Sequence, residues 1–280
     1  MQEMFMRGFG RSKYDDKKKG LTDDKIYSYS TYDSYKKACI RFVKFCKYKY
    51  KCKTLKGCRQ YVDEYLKSRF HLSASTVKLE ASALAKLYQC SGTDFVKTPS
   101  RHRADIKRSR LAVERDKHFS VTKNKNLIDF CRSIGCRRKE LSMLRGTDLI
   151  YRNGMPFIHF TRGTKGGRER YTPVIGNVEL VVNMMNKAGN NKIFTKISSN
   201  ADIHSYRADY AKSLYNMLAR PINQIPYDRV NKGTGRKYQS EVYVCRGDKK
   251  GIKYDRRAML EVSRALGHNR VSVIASNYLY

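Results

Sequence analysis

Residues 135–148 read Gly-Cys-Arg-Arg-Lys-Glu-Leu-Ser-Met-Leu-Arg-Gly-Thr-Asp, and their spacing predicts a helix over 136–146. On that helix Arg137 shares one stripe with Leu141 and Leu144, at positions i, i+4 and i+7. A guanidinium on a core-facing stripe is costly unless it meets an anion. The stretch therefore predicts a buried positive charge that has to be compensated.

A second helix, predicted over 202–219, carries the same conflict. Its apolar stripe includes Tyr210 and Leu214, and Arg207 lies in the middle of that stripe. His204 lies one turn before Arg207, so both side chains face the same way. Two inward-facing arginines and a histidine favour a cleft that binds a negatively charged group.

The spacing leaves a structural alternative open. Arg137 and Arg207 would then be held in buried ion pairs, for which Glu140 and Asp148 are the available acidic partners. Both interpretations predict that these arginines are buried, so the pattern alone does not separate them.

The overall charge indicates the kind of partner. The 280 residues include 59 Lys and Arg against 25 Asp and Glu, a formal net charge of +34. Hydrophobic residues still make up 40%, enough to bury a core. A folded chain this basic repels itself unless a polyanion neutralises it, and nucleic-acid phosphates are the commonest such partner. The balance argues against a metabolic enzyme for small neutral substrates.

Location and redox state follow from what the sequence lacks. No apolar run reaches the length of a membrane span, and the N-terminus has no secretory signal, so we expect a cytoplasmic protein. None of the cysteines form a Cys-x-x-Cys pair, and we expect reduced core thiols and no metal site. The eight cysteines are Cys39, Cys46, Cys52, Cys58, Cys90, Cys131, Cys136 and Cys245.

The pattern along the chain predicts a mainly α protein with a small antiparallel β-sheet. We divide it into a basic mobile arm (1–30), a helical domain (31–97), a basic linker (98–117) and an α+β domain (118–280). The arm has a basic DNA or subunit contact as its alternative. Within the last domain, 221–255 is a polar region with a predicted hairpin, which could serve as a DNA contact, a subunit contact or a neutral insertion.

The linker has Pro99 as a breaker, followed by five Arg or Lys within residues 101–110. A solvated spacer would explain them, but they could also lie along a phosphate backbone. The candidate DNA-binding residues are Arg101, Arg103, Lys107, Arg108 and Arg110.

Regular elements can be predicted in the α+β domain. A helix should end at Gly135, a glycine suited to the left-handed C-terminal position. Two strands joined by a glycine-rich turn and four helices should follow. The strands are 156–161 and 169–175; the helices are 178–187, 202–219, 256–266 and 270–278; the hairpin pairs 238–245 with 252–255.

Five short motifs, in this order, resemble those of the tyrosine recombinases, the phage integrase family, over roughly residues 120–280. Each is weak alone, and their shared order on so basic a chain carries the resemblance. They are Gly135-Cys-Arg137 with Glu140-Leu141 and Asp148; Thr164-Lys165-Gly166-Gly167; His204-Ser-Tyr-Arg207; Leu266-Gly267-His268; and Ala275-Ser-Asn-Tyr278.

The resemblance implies a fold and a chemistry. Residues 31–97 are similar to the family's helical, SAM-like core-binding domain, and 118–280 to its α+β catalytic domain. Such enzymes cut DNA with a tyrosine, keep the bond energy in a 3′-phosphotyrosine, and use neither metal nor ATP nor another cofactor. The resemblance also implies a role for six residues. Arg137, Arg207 and His268 would bind the phosphate, and Lys165 would act as the acid for the leaving 5′-oxygen. His204 would act as base or positioning group, and Tyr278 would be the nucleophile.

The chain departs from the family pattern in three places. The position where the family usually carries its tyrosine is Asn277, with Tyr278 next and Tyr280 as the other candidate. His268 lies 61 positions after Arg207, much further than is common, because of the 221–255 region. Only two residues follow Tyr278, so we expect no C-terminal helix docked on a neighbouring subunit.

The resemblance implies a site-specific recombinase or integrase of a mobile element. Its partners would be double-stranded DNA with paired half-sites, further copies of itself in a dimer and a synaptic tetramer, and an accessory factor that bends DNA or sets direction. We expect it on the bacterial nucleoid. The alternatives are a non-catalytic basic DNA-binding protein of the same fold and a type IB topoisomerase-like nicking-closing enzyme.

Overall fold

The computed structural model describes residues 1–102, 105, 118–225, 240–268 and 270–279. The chain divides into two compact units, Met1–Lys107 and Arg108–Tyr280. Helices dominate, and the described strands form one sheet of three and one of two, all antiparallel. The predicted fold class, mainly α with a small antiparallel sheet, is confirmed.

The first unit is all-helical. Its core packs α3 against α5 and α6 around Phe42, Leu66 and Leu84, which are all fully buried. Ser73 caps the start of α6 by accepting a hydrogen bond from the Thr76 amide. The helices are α1 (Gln2–Gly8), α2 (Lys13–Lys18), α3 (Tyr29–Tyr50), α4 (Leu55–Cys58), α5 (Val62–Ser68) and α6 (Ala74–Leu87).

Residues 1–30, for which the sequence favoured a mobile arm, contain α1 and α2. Met4 and Ile26 are buried, and Gly8 lies so close to the backbone that a Cβ there would meet the Ile26 carbonyl oxygen at 2.4 Å. The Lys86 ammonium of α6 donates hydrogen bonds to the carbonyls of Thr22 and Asp23, at 2.6 and 2.7 Å. The Lys86 hydrogen bonds attach the segment to α6, and the Phe5 ring stacks on the Tyr32 ring of α3 with a centroid distance of 5.1 Å.

The second unit surrounds a three-stranded sheet. β2 pairs with β1 and β3, and Phe160 lies opposite Arg170 in the register. β1 was missed in the sequence and α8 is much shorter than predicted, while the other elements lie close to their predicted bounds. They are α7 (Lys125–Ile134), α8 (Arg138–Leu141), β1 (Leu149–Arg152), β2 (Met155–Phe160), β3 (Arg170–Pro173), α9 (Val178–Ala188), α10 (Ile203–Leu218), β4 (Val242–Val244), β5 (Lys253–Asp255), α11 (Arg256–Ala265) and α12 (Val271–Asn277).

The junction between α7 and α8 corrects one prediction. Gly135 ends α7 in the left-handed conformation, φ 57°, as expected, and a Cβ there would meet the Tyr210 ring at 2.3 Å. The predicted helix over 136–146 is only one turn long, and Arg137 precedes it in an extended conformation. Arg137 is therefore the N-cap residue of α8 and not a member of its apolar stripe.

The 221–255 region contains the predicted hairpin. β4 pairs with β5, Val242 opposite Asp255, while residues 226–239 lie outside the described part. Asp255 caps α11 and is anchored by Arg220, which places the hairpin between α10 and α11. In the described ranges no helix is both long and apolar enough to cross a membrane.

Candidate active site

Arg207 is the centre of the candidate site. The α10 stripe carries its side chain inward, where it is 1% exposed. Its Nη1 and Nη2 donate to the carbonyl oxygens of Gly135 and Leu266, and its Nε donates to the Tyr278 hydroxyl at 3.3 Å. Burial lowers the pKa of Arg207 to about 10, so the guanidinium is still charged at neutral pH.

Arg137 approaches the same carbonyl from α8. Its Nη2 donates to Leu266 O at 3.2 Å, which brings the two guanidinium groups to one acceptor. Its Nη1 donates to Glu140 Oε1 at 2.7 Å, and its backbone amide donates to Oε2 at 2.6 Å. The extended backbone before α8 makes both contacts with one carboxylate possible. Arg137 keeps a quarter of its side chain exposed.

A third arginine, Arg170, was not singled out from the sequence. It lies on β3, 5% exposed, and pairs with Glu140 through both Nη atoms, with an Nη2–Oε2 distance of 2.9 Å. Its Nε donates to Ala265 O at 2.8 Å. The available signal was alternation: Arg170 and Thr172 share the buried face of a short strand, where a cation is as anomalous as on a helix stripe.

Glu140 compensates this group of cations. Burial alone would raise its pKa, but hydrogen bonds from Arg170, the Arg170 charge and the Arg137 amide together hold the pKa below its usual value. The predicted ion-pair alternative thus holds for Arg137. It does not hold for Arg207, which donates no hydrogen bond to a carboxylate in the described part of the chain, and Asp148 pairs instead with Arg162 at 2.6 Å.

Tyr278 directs its hydroxyl into this cationic group. It lies just after α12 and is 4% exposed. Its hydroxyl oxygen accepts from Arg207 Nε at 3.3 Å and lies 3.1 Å from His268 Nε2. Because an arginine only donates, the hydroxyl proton is available to the imidazole when Nε2 carries no hydrogen. Tyr280 lies outside the described residues.

His268 is held next to α11. Its amide donates to the Ser263 carbonyl at 2.7 Å, and its own carbonyl accepts from the Ser263 hydroxyl at 2.8 Å. Burial and the charges of Arg207, Arg137, Arg170 and Lys165 lower the pKa of His268 to about 4. The imidazole is therefore neutral at physiological pH.

His204 opens onto a cleft beside Arg207. Its ring centroid lies 5.8 Å from that of Tyr278. The cleft has a volume of about 320 Å³ and is bounded by Arg137, Arg138, His204, Arg207 and the loop 199–202. Arg138, another residue that the sequence analysis missed, holds this loop by donating to the carbonyls of Ser198, Ser199 and Ala201. Three arginine residues thus line one polar cleft.

Lys165 lies exposed in a single turn, Lys165–Gly167, between β2 and β3. Its charge is close enough to contribute to the low pKa of His268. The structure therefore brings Arg137, His204, Arg207, His268 and Tyr278 together, with Lys165 at the edge of the group.

The candidate DNA-binding residues of the linker are only partly described. Arg101 is exposed on the first unit. Arg103, Lys107, Arg108 and Arg110 lie outside the described residues, so their part in DNA binding stays a prediction. All eight cysteines are free thiols, and the described ranges contain no cluster of His, Cys, Asp or Glu suited to a metal.

Comparison of the sequence with family models and with curated proteins gives no match. Among solved structures, the fold is similar to that of tyrosine recombinases. The XerH site-specific recombinase in a post-cleavage complex with a palindromic difH substrate is 16% identical, covering 89% of this chain and 75% of that one with a TM-score of 0.49.

The Tn1549 transposon integrase in complex with circular intermediate DNA is 12% identical, covering 87% of this chain and 95% of that one, with a TM-score of 0.41. At such low identities and TM-scores, what this chain does has to be argued from its own residues.

Proposed function

We propose that the protein is a site-specific DNA recombinase or integrase that cuts and rejoins strands through a 3′-phosphotyrosine. The observation that carries the proposal is the position of the Tyr278 hydroxyl, between Arg207 Nε at 3.3 Å and His268 Nε2 at 3.1 Å. A tyrosine placed only for packing needs one hydrogen-bond partner for its hydroxyl and does not require a buried cation beside a neutral imidazole. A nucleophile that must lose its proton gains from both.

The chemistry balances without an external energy source. The Tyr278 hydroxyl gives its proton to a histidine of the site as its oxygen attacks the phosphorus of a DNA phosphodiester. A P–O bond to Tyr278 forms, and the P–O bond to the 5′-oxygen breaks. The leaving 5′-oxygen takes a proton and becomes a hydroxyl. Because the bond energy stays in the phosphotyrosine, a 5′-hydroxyl can reverse the step and join the strand to a new end.

The cationic group suits the transition state of this reaction. Negative charge grows on the non-bridging oxygens, and forked, preorganised donors stabilise it best. In the described structure the bonds to Arg207 use three of its five N–H groups. We assign Arg137 and Arg207 to the phosphate oxygens and His268 to the same phosphate. An arriving phosphate would also oppose the arginine charges that hold the pKa of His268 low.

The other two residues complete the proton transfers. Lys165 lies exposed in the turn between two strands, a position from which a flexible ammonium can reach the leaving 5′-oxygen as general acid. His204 opens onto the cleft beside Arg207 and assists as base or positioning group.

The charge of +34 fits a DNA partner. Most contacts from Lys and Arg would go to DNA phosphates, so the affinity should fall steeply with salt concentration. Few residues would contact bases and determine sequence specificity. We propose that two protomers bind paired half-sites and that a synaptic tetramer exchanges strands, with an accessory factor to bend DNA or set direction. The exposed Arg101 and the linker cations Arg103, Lys107, Arg108 and Arg110 would follow the backbone.

A nicked suicide duplex tests the proposal. When the strand beyond the cut is short enough to diffuse away, religation fails and a covalent protein–DNA adduct accumulates on a denaturing gel. The proposal predicts an adduct at the DNA 3′ end. Tight, salt-sensitive binding with no adduct on the DNA that flanks the gene would contradict it and favour a non-catalytic DNA-binding protein. Adduct formation with supercoil relaxation but no two-site recombination would favour the topoisomerase-like activity.

A further inference from the structure

The hairpin of β4 and β5 contacts the segment that carries Tyr278. The Lys249 ammonium donates to Ala275 O at 2.9 Å and also to Leu279 O, and the Tyr254 hydroxyl donates to Leu279 O at 3.1 Å. Ala275 and Leu279 flank Tyr278 on both sides. Two side chains of the hairpin therefore grip the main chain around the candidate nucleophile.

These contacts give hydrogen-bond donors to backbone carbonyls at the end of α12 that have no partner within the helix. The last carbonyls of a helix have no partner within it and carry partial negative charge, which a lysine ammonium stabilises. α12 has only seven residues, so its own hydrogen bonds hold its end weakly. The position of Tyr278 after its last turn thus depends on what holds Leu279.

The hairpin is itself fixed to the rest of the site. Asp255, at the end of β5, is fully buried and accepts from Arg220 Nε at 2.9 Å and Nη2 at 3.1 Å. Its amide donates to the Tyr215 hydroxyl on α10 at 2.9 Å, and it caps α11, which leads to His268. One short element therefore joins α10, which carries Arg207, to the helices that precede His268 and Tyr278.

The position of the Tyr278 hydroxyl indicates that the hairpin contacts favour cleavage and do not oppose it. The Tyr278 hydroxyl lies within hydrogen-bond distance of Arg207 and His268, the two residues assigned to the phosphate. We propose that Lys249 and Tyr254 are positioning residues that hold the Tyr278 main chain so that its hydroxyl stays at this site. The inference rests on the proposed function, and it gives the 221–255 region a role within its own subunit.

The test distinguishes a loss of Tyr278 positioning from a loss of the catalytic groups themselves. Lys249→Met keeps the length of the side chain and removes its donors, Tyr254→Phe removes one hydroxyl, and Lys249→Arg restores a donor. The controls are Lys250→Met, which removes the same charge one residue away on an exposed side chain, and Tyr243→Phe, whose residue pairs with Tyr254 across the hairpin. Each variant is compared for DNA affinity, for single-turnover cleavage of the suicide duplex at saturating protein, and for amide hydrogen exchange over residues 271–279.

We expect Lys249→Met to cleave at least about tenfold more slowly with unchanged DNA affinity, since a misplacement of about 1 Å can cost about 100-fold. Exchange at 274–279 should be several-fold faster, Tyr254→Phe should show a smaller effect of the same kind, and Lys249→Arg should recover most of the rate. Neither control should change exchange or cleavage.

Wild-type cleavage and exchange in Lys249→Met, or faster cleavage, would overturn the inference and leave the recombinase proposal intact. Faster exchange in Lys249→Met, with no adduct formed by any variant or by the wild type, would support the contact and overturn the proposed function instead.

Discussion

The Nε atom of Arg207 lies 3.3 Å from the hydroxyl oxygen of Tyr278, although 70 residues separate them in the chain. The contact joins the two side chains that a phosphoryl transfer needs most, a fixed positive charge and an oxygen nucleophile. It also explains why a guanidinium lies on the apolar stripe of α10. In the part of the chain that the structure describes, two backbone carbonyls and a phenol accept its hydrogen bonds, and no carboxylate does.

Tyr278→Phe should abolish the covalent DNA adduct while DNA affinity stays within about twofold, because the ring packing is kept and only the nucleophilic oxygen is lost. The lost hydrogen bonds should lower the free energy of unfolding by no more than about 1.5 kcal/mol. Tyr48→Phe, at a side chain that is 71% exposed, is the matched control and should form the adduct normally. An adduct from Tyr278→Phe would exclude Tyr278 as the nucleophile.

Arg207→Lys should reduce the single-turnover cleavage rate by about 100-fold or more, since a lysine keeps the charge and loses the planar fork. Arg207→Met should in addition lower the free energy of unfolding by about 1–3 kcal/mol, because the Gly135 carbonyl loses its donor inside the protein. Urea unfolding measures the second effect independently of DNA. Cleavage at the wild-type rate by Arg207→Lys would contradict the assigned role.

Glu140→Gln should be strongly destabilising. Glu140 is fully buried against Arg170 and also accepts from Arg137, so the substitution leaves buried cations without their counter-charge, at a cost of about 3–5 kcal/mol. The control is Glu261→Gln, which breaks an exposed pair with Arg264 and should change stability by no more than about 1 kcal/mol. Equal effects of the two substitutions on urea unfolding would show that Glu140 does not compensate the site.

Acidification should destabilise the protein through His268. Its pKa in the folded chain, about 4, lies below the ordinary value of 6.5, so the unfolded chain takes up the proton first. The stability that follows from the neutral imidazole is present above pH 6.5 and is lost as the pH falls toward about 4. The fall in urea midpoint between pH 7 and pH 5 should be smaller in His268→Gln, and unchanged in the exposed control His71→Gln. An identical fall in wild type and His268→Gln would contradict the cationic environment of His268.

Much of the fold and part of the site follow from the sequence. The helices α9 to α12 and the β2–β3 hairpin were predicted because their apolar periodicity is regular. Arg207 was found for the opposite reason, as a charge that breaks the period. Arg137 was found by a partly wrong argument: α8 is one turn long, and its N-cap position was not visible in the stripe.

Other features of the site could not be predicted from local sequence patterns. Arg170 lies on a strand of only four residues, too short for its alternation to stand out, and its partner Glu140 is 30 positions away. The carbonyls of Gly135 and Leu266 leave no trace in side-chain patterns, yet they hold the Arg207 guanidinium. The hydrogen bond from Lys249 to the Leu279 carbonyl depends on tertiary structure, which sequence periodicity does not predict.

The most direct test of the central claim is to identify the residue that becomes attached to DNA. A nicked suicide duplex made from the DNA that flanks the gene is incubated with the protein, the adduct is digested with trypsin, and the peptide after Arg270, which contains both Tyr278 and Tyr280, is fragmented by mass spectrometry. We predict a 3′-phosphate ester on Tyr278. An ester on Tyr280 or on any other residue, or bound DNA that never becomes covalently attached, would contradict the account.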